Sequence, residues 1–399
     1  MVVIKEVKAE SIKDSRRDKT ISITISCKIE NNIKKFSSSA PNGKSKGKKE
    51  SKPYKKNLEG DIKTLNDFSD YFSTDEIEKF EDLRRIEDIV DRHIGANSLF
   101  ALESAILKAL ANEEKKQVWE LIPGSSKKNS FPGLVGNTAE GGKHSDGPKK
   151  SNKKPDFQEF QFITKTKSIK EAFELNKKLK QKIKTEIKEA DKNFTGKTTD
   201  EKGWKTSLND RQVIGLLSKV TKDKPIKIGV DVAASSFYKR KKYTYQNPPL
   251  KRIPEEHYFY IKNLIENFGI YYIEDPFEEE DFSNHGKLLK EFPNSLIVGD
   301  DLIVTNIERL KKAIKTKSIN ALIVKPNQNG SLLKVAEICK IAKENKIKTV
   351  FSHRSGETQE SILADLAFGF KADFFKCGID GKEREAKLKR LVEIEKSLE

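Results

Sequence analysis

The chain has 399 residues, of which 35% are charged and 35% apolar, and its formal net charge is +17 at pH 7. This length can bury a large core and predicts two domains, or one barrel with an attached domain. No apolar run approaches the about 20 residues that a membrane span needs. The N-terminal Met-Val-Val-Ile-Lys-Glu lacks the apolar centre of a signal peptide, so we expect a cytoplasmic protein.

Cysteines and basic segments exclude further classes of protein. Cys27, Cys339 and Cys377 stand far apart, which argues against a disulfide framework or a zinc site. Much of the positive charge lies in two lysine-rich segments, 44–56 and 143–154. Gly, Ser and Pro interrupt both segments, and no run of aromatic residues accompanies them. We therefore expect solvated loops, and nucleic acid is an unlikely partner.

The first 122 residues predict a small α+β domain. The expected elements are strands at 2–9 and 20–30 and helices at about 75–92, with Thr74 as N-cap, and 96–112. The second strand alternates cleanly, with Ile and Cys on one face and Ser, Thr and Lys on the other. Residues 37–53 contain almost nothing that could be buried and predict a mobile loop or lid.

Residues 123–399 predict an α/β fold, a (β/α)8 barrel. A Gly- and Lys-rich linker is expected at 123–155, and Ser168 with Glu171 forms a capping box for a long helix. Seven barrel strands are expected at 157–163, 226–232, 270–274, 295–299, 320–325, 348–352 and 373–376. The eighth is expected between 193 and 206, where the sequence is too polar to place it.

Successive strands in this region end in charged or ionisable residues. Five short apolar runs end in Glu274, Asp300, Lys325, His353 and Lys376, and an upstream run ends in Asp231. The steps from 274 to 300, 325, 353 and 376 are 26, 25, 28 and 23 residues, which suits one strand, one helix and two short loops. Barrel enzymes keep their chemistry at the C-terminal ends of strands. The pattern therefore predicts an active site.

The types of residue at these strand ends suggest a chemistry. Oxygen ligands such as Asp231, Glu274 and Asp300 suit a hard divalent cation such as Mg²⁺, although each acid alone is equally explained as a helix cap. Lys325 and Lys376 close strands on the far side of the mouth. A lysine near other cations can have a lowered pKa and act as a base, while a second stays protonated. The set suits proton abstraction beside a carboxylate.

Several motifs, in chain order, resemble those of the enolase family. They are Gly95-Ala-Asn97, Gly141-Gly-Lys-His144, Gln158-Glu-Phe160, Gly229-Val-Asp-Val-Ala-Ala-Ser235, Ile273-Glu-Asp-Pro-Phe277, Val298-Gly-Asp-Asp-Leu302, Val304-Thr-Asn306, Val324-Lys-Pro-Asn-Gln328 and Ser352-His-Arg-Ser-Gly-Glu-Thr358. The resemblance covers nearly the whole chain. It implies an enolase-like (β/α)8 barrel with an N-terminal α+β capping domain. It also implies Mg²⁺-dependent, reversible dehydration of 2-phosphoglycerate to phosphoenolpyruvate in glycolysis and gluconeogenesis.

The same resemblance implies roles for individual residues. Asp231, Glu274 and Asp300 would hold the first Mg²⁺, Lys325 would remove the C2 proton, and Lys376 would hold the substrate carboxylate. A lysine base with Mg²⁺ on the enediolate is the general description of the enolase superfamily, so these roles follow from the resemblance alone. The other implied residues are Glu201 as the acid at the C3 hydroxyl, Glu159 beside it, His353 at the C3 side, Arg354 and Ser355 at the phosphate, and Gln158 among the substrate contacts.

Two loops gain a meaning from the resemblance. Residues 40–47 resemble the family's first mobile loop, which implies that Ser45 closes over a second Mg²⁺, and His144 would enter from a second loop. A homodimer or a ring of dimers is also implied. The chain departs from the family pattern at Arg17, Lys44, Lys46, Lys202, Trp204 and residues 377–380. None of these departures removes a candidate ligand or proton carrier.

Two other functions stay open on sequence alone. One is an enolase-like paralogue that acts on another 2-phospho or 2-hydroxy acid, and Arg354 and Ser355 argue against it because they preserve the phosphate contacts. The other is a non-catalytic protein that binds polyanions through its basic loops. That alternative predicts salt-sensitive binding and loss of catalytic residues, whereas the candidate catalytic residues are all present.

Overall fold

A computed structural model of the protein describes residues 1–29, 32–44, 47–72, 76–148, 151 and 153–399. The N-terminal part contains, in chain order, β1 (Val2–Lys13), β2 (Lys19–Ile29), β3 (Asn32–Ser39), α1 (Leu58–Asp67), β4 (Glu76–Ile77), α2 (Leu83–Val90) and α3 (Ala96–Glu113). Short 3-10 helices lie at Ser69–Phe72, Phe80–Asp82 and Val118–Leu121. The four strands form an antiparallel sheet in the order β3-β2-β1-β4.

The sheet and α3 share one apolar core. Ile21, Ile23 and Ile25 of β2 are fully buried, as their alternation predicts. Helix α3 packs on β2 and β3, and most of its residues are buried, which explains its lack of a polar face. The strands predicted at 2–9 and 20–30 and the helix predicted at 96–112 are therefore confirmed.

The first three residues of the segment predicted as a mobile loop or lid, 37–53, belong to a strand instead. Ser37–Ser39 belong to β3 and pair with Ser22–Thr24 of β2. This short polar strand lies at the edge of the sheet, where a polar outer face is tolerated because only one neighbour covers the strand.

The helix predicted at 75–92 is shorter than expected. It consists of the 3-10 turn at Phe80–Asp82 followed by the eight-residue α2. Asp82 accepts backbone N–H groups from Glu78 and Lys79 at 2.9 and 3.1 Å, which begins a new turn at this point. Thr74, the predicted N-cap, lies outside the described residues.

The remainder of the chain alternates strands and helices. In chain order they are β5 (Gly133–Glu140), β6 (Glu159–Thr164), α4 (Ile169–Ala190), β7 (Trp204–Lys205), α5 (Asp210–Thr221), β8 (Lys227–Asp231), β9 (Tyr238–Lys239), β10 (Lys242–Gln246), β11 (Pro249–Arg252), α6 (Pro254–Phe268), β12 (Tyr272–Glu274), α7 (Phe282–Glu291), β13 (Leu296–Gly299), α8 (Ile307–Thr316), β14 (Ala321–Val324), α9 (Leu332–Glu344), β15 (Lys348–Ser352), α10 (Ile362–Gly369), β16 (Phe374–Gly378) and α11 (Lys382–Leu398). Strands β9 to β11 form a separate antiparallel sheet.

Eight of these strands close into a barrel. Their order is β5-β6-β8-β12-β13-β14-β15-β16, and β16 pairs back with β5 in parallel. The pairs on both sides of β6 are antiparallel, and the other barrel pairs are parallel. The barrel and the seven predicted strands are confirmed. The domain division at residues 122 and 123 stays a prediction.

The predicted position of the eighth barrel strand is wrong. Residues 193–206 contribute only the two-residue β7. This strand pairs in parallel with the last two residues of β5 and lies outside the closed barrel. The eighth strand is β5, inside the segment that we interpreted as a linker. All eight residues of β5 are buried, so the strand shows no alternation, and its two glycines resemble loop sequence.

Strand β6 runs opposite to the other barrel strands, and this direction decides which of its residues reach the mouth. Its first residue, Glu159, is the register partner of Asp231 at the end of β8 and of Glu140 at the end of β5. The backbone N–H of Gln158 donates to the Asp231 carbonyl at 2.9 Å. The beginning of β6 therefore lies beside the C-terminal ends of its neighbours.

The helices surround this barrel. In α4, half of the predicted capping box is present, since Ser168 Oγ accepts from the Glu171 backbone N–H at 3.1 Å. The return bond from the Ser168 N–H to the Glu171 side chain is absent from the described residues. Among the helices of the described residues, we find none that is both long and apolar enough to cross a membrane.

Candidate active site

Carboxylates from neighbouring strands meet at the C-terminal mouth of the barrel. Asp231 ends β8 and Glu274 ends β12, and the two residues are direct register partners. Asp300 follows β13 immediately. All three residues are buried, and Glu274 is completely so. The fold thus brings together the three residues that the sequence predicts as metal ligands.

The ammonium group of Lys376 lies between these carboxylates. Its Nζ is 2.8 Å from both Glu274 oxygens, 2.9 Å from Glu159 Oε2 and 3.2 Å from Asp231 Oδ2. The Tyr272 hydroxyl donates to Glu274 Oε2 at 2.8 Å. Burial alone would lower the pKa of Lys376, but the surrounding carboxylates outweigh burial and raise it well above its usual value. The carboxylates around Lys376 therefore favour its charged form.

Lys325 is paired with a different carboxylate. Its Nζ lies 2.5 Å from Asp300 Oδ2, just beyond the end of β14. Burial and Arg354 lower the pKa of Lys325, but Asp300 outweighs them and raises it. The lowered pKa that we expected for a base is therefore not produced by the protein groups alone. A divalent cation on Asp300 would withdraw that carboxylate from Lys325 and favour the neutral amine.

The chemistry of the carboxylate set fits a divalent cation. Burial raises the pKa of Glu274 well above its usual value, and Asp231 raises it further. Asp300 Oδ1 and Gln158 Oε1 are buried without a hydrogen-bond partner among the described residues. Oxygen atoms of Asp275, Asp300 and Asp301 also lie within 4.8 Å of one another. Such hard oxygen donors match the preference of Mg²⁺, and a cation would supply the missing partner.

Glu201 occupies the other side of the mouth with two histidines. Glu201 lies in the connection between α4 and α5, and its Oε2 is 3.2 Å from His353 Nε2. His144 Nδ1 lies 3.4 Å from Glu201 Oε1 and 3.6 Å from Glu159 Oε1. Burial would raise the pKa of Glu201, but the neighbouring histidines outweigh it and lower it well below its usual value.

The loop after β3 lies over Arg354 and Ser355. Arg354 Nη2 is 2.8 and 3.1 Å from the two oxygens of Glu50, and only 3% of the Arg354 side chain is exposed. The backbone N–H of Lys44 donates to Ser355 Oγ at 2.7 Å. A Cβ at Gly43 would lie 1.8 Å from Arg354 Nη2, so any larger residue at position 43 would displace the Arg354 guanidinium.

Most of the predicted site residues line one cleft. The predicted residues among its lining are His144, Gln158, Glu159, Glu201, Asp231, Asp300, Lys325, His353, Arg354, Ser355 and Lys376. Glu274 lies beneath them in contact with Lys376. Ser45, the predicted ligand of a second Mg²⁺, lies outside the described residues.

Sequence reasoning missed several supporting residues. Glu50 falls in a segment that we expect to be a solvated loop. One feature of the sequence could have singled it out, since it is the only acidic residue in the segment 44–56. Asn327 accepts from Arg354 Nη1 at 3.2 Å, and Tyr272 bonds Glu274. Glu140 ends the strand that the sequence did not reveal. No local pattern marks the last three as partners of the site.

The C-terminal mouth of the closed barrel carries buried carboxylates and two lysines, and this is where α/β-barrel enzymes place their active sites. The fold and the site therefore define an α/β-barrel enzyme. The family model described as "Enolase, C-terminal TIM barrel domain" matches residues 128–399. The chain is 35% identical to an enolase of Methanosphaera stadtmanae, over 99% of this chain and 97% of that protein. It is also 30% identical to an enolase of Archaeoglobus fulgidus, over 100% of this chain and 98% of that protein.

An enolase of Pyrobaculum aerophilum is 35% identical over 82% of this chain and 78% of its own length. The chain belongs to the enolase family. It is accordingly a lyase of the phosphopyruvate hydratase class. Membership of the family implies a divalent metal and a small-molecule substrate, which agrees with the acidic groups at the mouth.

Proposed function

We propose that the protein catalyses the Mg²⁺-dependent, reversible dehydration of 2-phosphoglycerate to phosphoenolpyruvate, a cytoplasmic step of glycolysis and gluconeogenesis. The observation that carries the proposal is the placement of Lys325 and Glu201 on one cleft but on different sides of it. Lys325 follows β14, whereas Glu201 lies beside β5, three strands away in a barrel of eight. Loss of a C2 proton and a C3 hydroxyl needs a base and an acid at separate positions.

The base side of the reaction rests on the two lysines. Lys325 takes the C2 proton, and Lys376 stays charged and holds the substrate carboxylate as it becomes an enediolate. Asp231, Glu274 and Asp300 would hold the first Mg²⁺. That ion supplies the divalent charge that an enediolate needs.

The acid side rests on Glu201. It passes a proton to the C3 hydroxyl as the C3–O bond breaks, with Glu159 beside it and His353 lining the C3 side. His144 contacts the same carboxylate from the second loop.

The remaining site residues bind the substrate. Arg354 and Ser355 bind the phosphate, because a planar guanidinium and a hydroxyl suit its oxygens. Gln158 contributes a polar contact from the start of β6. Ser45 would close over the second Mg²⁺, and the assembly would be a homodimer or a ring of dimers.

Turnover of 2-phosphoglycerate tests the proposal directly. Purified protein with Mg²⁺ is expected to generate the absorbance of the enolpyruvate product, and a chelator is expected to abolish it until Mg²⁺ is restored. The enolase of Methanosphaera stadtmanae serves as the control. No absorbance from this protein while the control turns over would refute the proposal. Turnover of a different 2-phospho or 2-hydroxy acid in its place would indicate a paralogue.

The buried pair of Glu50 and Arg354 leads to a separate prediction. Glu50→Gln keeps the shape of the side chain but removes the charge that orients Arg354. We expect the KM for 2-phosphoglycerate to rise about tenfold with little change in kcat, because about 1.4 kcal/mol of substrate binding is lost. Steady-state kinetics measure both values. Glu59→Gln, at an exposed pair with Lys19, is the matched control, and an unchanged KM in Glu50→Gln would contradict the prediction.

A further inference from the structure

Glu140 is a buried carboxyl group that the mechanism above does not use. It is the last residue of β5, it is fully buried, and it is the direct register partner of Glu159. Across four neighbouring barrel strands, the same layer of the mouth therefore carries Glu140, Glu159, Asp231 and Glu274. The last three belong to the site, whereas Glu140 lies behind the cleft wall.

Glu140 contacts the loop that carries Glu201. Thr199 Oγ1 and Asn137 Nδ2 each make a short hydrogen bond to a different oxygen of Glu140. The turn is tight, since the Thr199 N–H donates to the Gly203 carbonyl at 2.9 Å. A Cβ at Gly203 would lie 2.6 Å from Glu140 Cγ. The turn 199–203 thus packs directly against the Glu140 side chain.

The end of β5 also holds this turn through its backbone. Strand β7 pairs in parallel with β5, so that Lys205 is the register partner of Glu140 and Trp204 that of Ala139. Glu201 is therefore joined to Glu140 both by the backbone pairing and by the Thr199 hydrogen bond. A substitution at Glu140 can therefore alter the position of Glu201 even though Glu140 does not line the cleft.

One carboxyl oxygen of Glu140, one of Glu201 and a ring nitrogen of His144 lie within 4.8 Å of one another. Two buried carboxyl groups this close influence each other's protonation. Burial raises the pKa of Glu140 well above its usual value, and Glu201 and Glu159 raise it further. The pKa of Glu201 is lowered instead, because His144 and His353 outweigh its burial. Other charged groups that act on the pair are Arg384 of α11 and Lys180 of α4. Of the two groups, Glu140 is therefore the one whose surroundings favour the protonated form.

We propose that Glu140 is a positioning residue for Glu201. Glu140 anchors the turn that carries Glu201, and the two carboxyl groups share an acid proton. The inference rests on the proposed role of Glu201 as the acid at C3. Glu140 releases its proton as Glu201 accepts one, and Glu201 then passes a proton to the C3 hydroxyl, which leaves as water while the C2–C3 double bond forms. After product release, Lys325 gives the C2 proton to solvent and the pair takes one proton from solvent, so that both sides of the site return to their starting state.

Glu140→Gln tests the inference, since glutamine keeps the shape but cannot hold the acid proton. We expect dehydration of 2-phosphoglycerate to slow by about 10- to 100-fold, within the usual range for proton transfer. Exchange of the C2 proton with solvent deuterium, followed by NMR, is expected to stay within about threefold of the parent, because it needs Lys325 and not Glu201. The substitution also removes a negatively charged neighbour that favours protonation of Glu201. Glu201 then loses its proton at a lower pH, so the alkaline fall in kcat begins at a lower pH.

Matched variants separate this role from a general loss of structure. Glu103→Gln removes another fully buried carboxyl with a raised pKa, which accepts from the Leu332 backbone N–H and does not line the cleft. It is expected to leave both the rate and the pH profile unchanged. Glu140→Asp keeps an acid and is expected to retain the parental alkaline limb with a lower kcat.

Three results would overturn the role of Glu140. The first is a Glu140→Gln enzyme with parental dehydration and pH profile. The second is equal loss of dehydration and of C2 exchange, which would indicate a purely structural residue. The third is one common pH profile for Glu140→Asp and Glu140→Gln. If the parent enzyme itself neither dehydrates 2-phosphoglycerate nor exchanges its C2 proton, the proposed function fails, and this role for Glu140 fails with it.

Discussion

Replacement of Lys325 by alanine is expected to lower kcat for 2-phosphoglycerate by about 10⁴-fold, the upper end of what a positioned base contributes. The substitution removes the amine that accepts the C2 proton and leaves Asp231, Glu274 and Lys376 in place. Substrate affinity is therefore expected to stay within about threefold of the parent, since the lost interaction is made in the transition state. Steady-state kinetics and calorimetric titration with Mg²⁺ and substrate measure the two quantities.

The control for this experiment is Lys311→Ala. Lys311 is an exposed lysine on α8 that pairs with Glu308 at 3.0 Å, so its loss is expected to change neither kcat nor affinity. Exchange of the C2 proton with solvent is expected to disappear in Lys325→Ala only. A Lys325→Ala enzyme with a rate near that of the parent would exclude Lys325 as the base.

Replacement of Lys376 by methionine is expected to lower stability and activity together. Methionine fills a similar volume but leaves Glu159, Asp231 and Glu274 without their shared cation. Removing one partner of a buried ion pair costs about 3–5 kcal/mol of unfolding free energy. We expect this loss in urea denaturation with a chelator present, and turnover is expected to fall by at least about 10³-fold.

Added Mg²⁺ separates this effect from a packing defect. An ion that binds only the native state raises its stability, so Mg²⁺ is expected to restore part of the lost free energy in Lys376→Met. The control is Lys180→Met. That lysine is also buried, but its partner Asp380 is 40% exposed, and the pair lies outside the cleft lining. Its loss is expected to be smaller and not restored by Mg²⁺. Equal recovery in both variants would contradict the metal assignment at the mouth.

The charged strand ends were predictable because they depend on local sequence. Each apolar run ends where a polar residue follows, and a repeat of 23 to 28 residues places every such end at the same edge of a parallel sheet. Glu274, Asp300, Lys325 and Lys376 therefore form one predicted group on spacing alone, and Asp231 joins them because it ends a similar apolar run upstream. The motifs that resemble enolases added the roles of these residues and the candidates Glu201 and Arg354.

Other parts of the site were not predictable in this way. Strand β5 is buried on every face and contains two glycines, so neither alternation nor composition distinguishes it from a linker. Because that strand was not predicted, the sequence did not place Glu140 at the mouth of the barrel. Glu50 is about 300 residues from Arg354 along the chain, and only closure of the loop over the barrel brings the two together.

The sequence alone determined the barrel, the family and the residues at its strand ends, since these follow from local periodicity, spacing and motifs. Only the tertiary structure decided that β6 runs antiparallel, which brings Glu159 to the mouth from the start of its strand. It also decided that Lys376 is shared among three carboxylates and that Glu140 contacts the turn that carries Glu201. These features depend on strand direction, barrel closure and burial, which bring distant parts of the chain into contact and which no local pattern encodes.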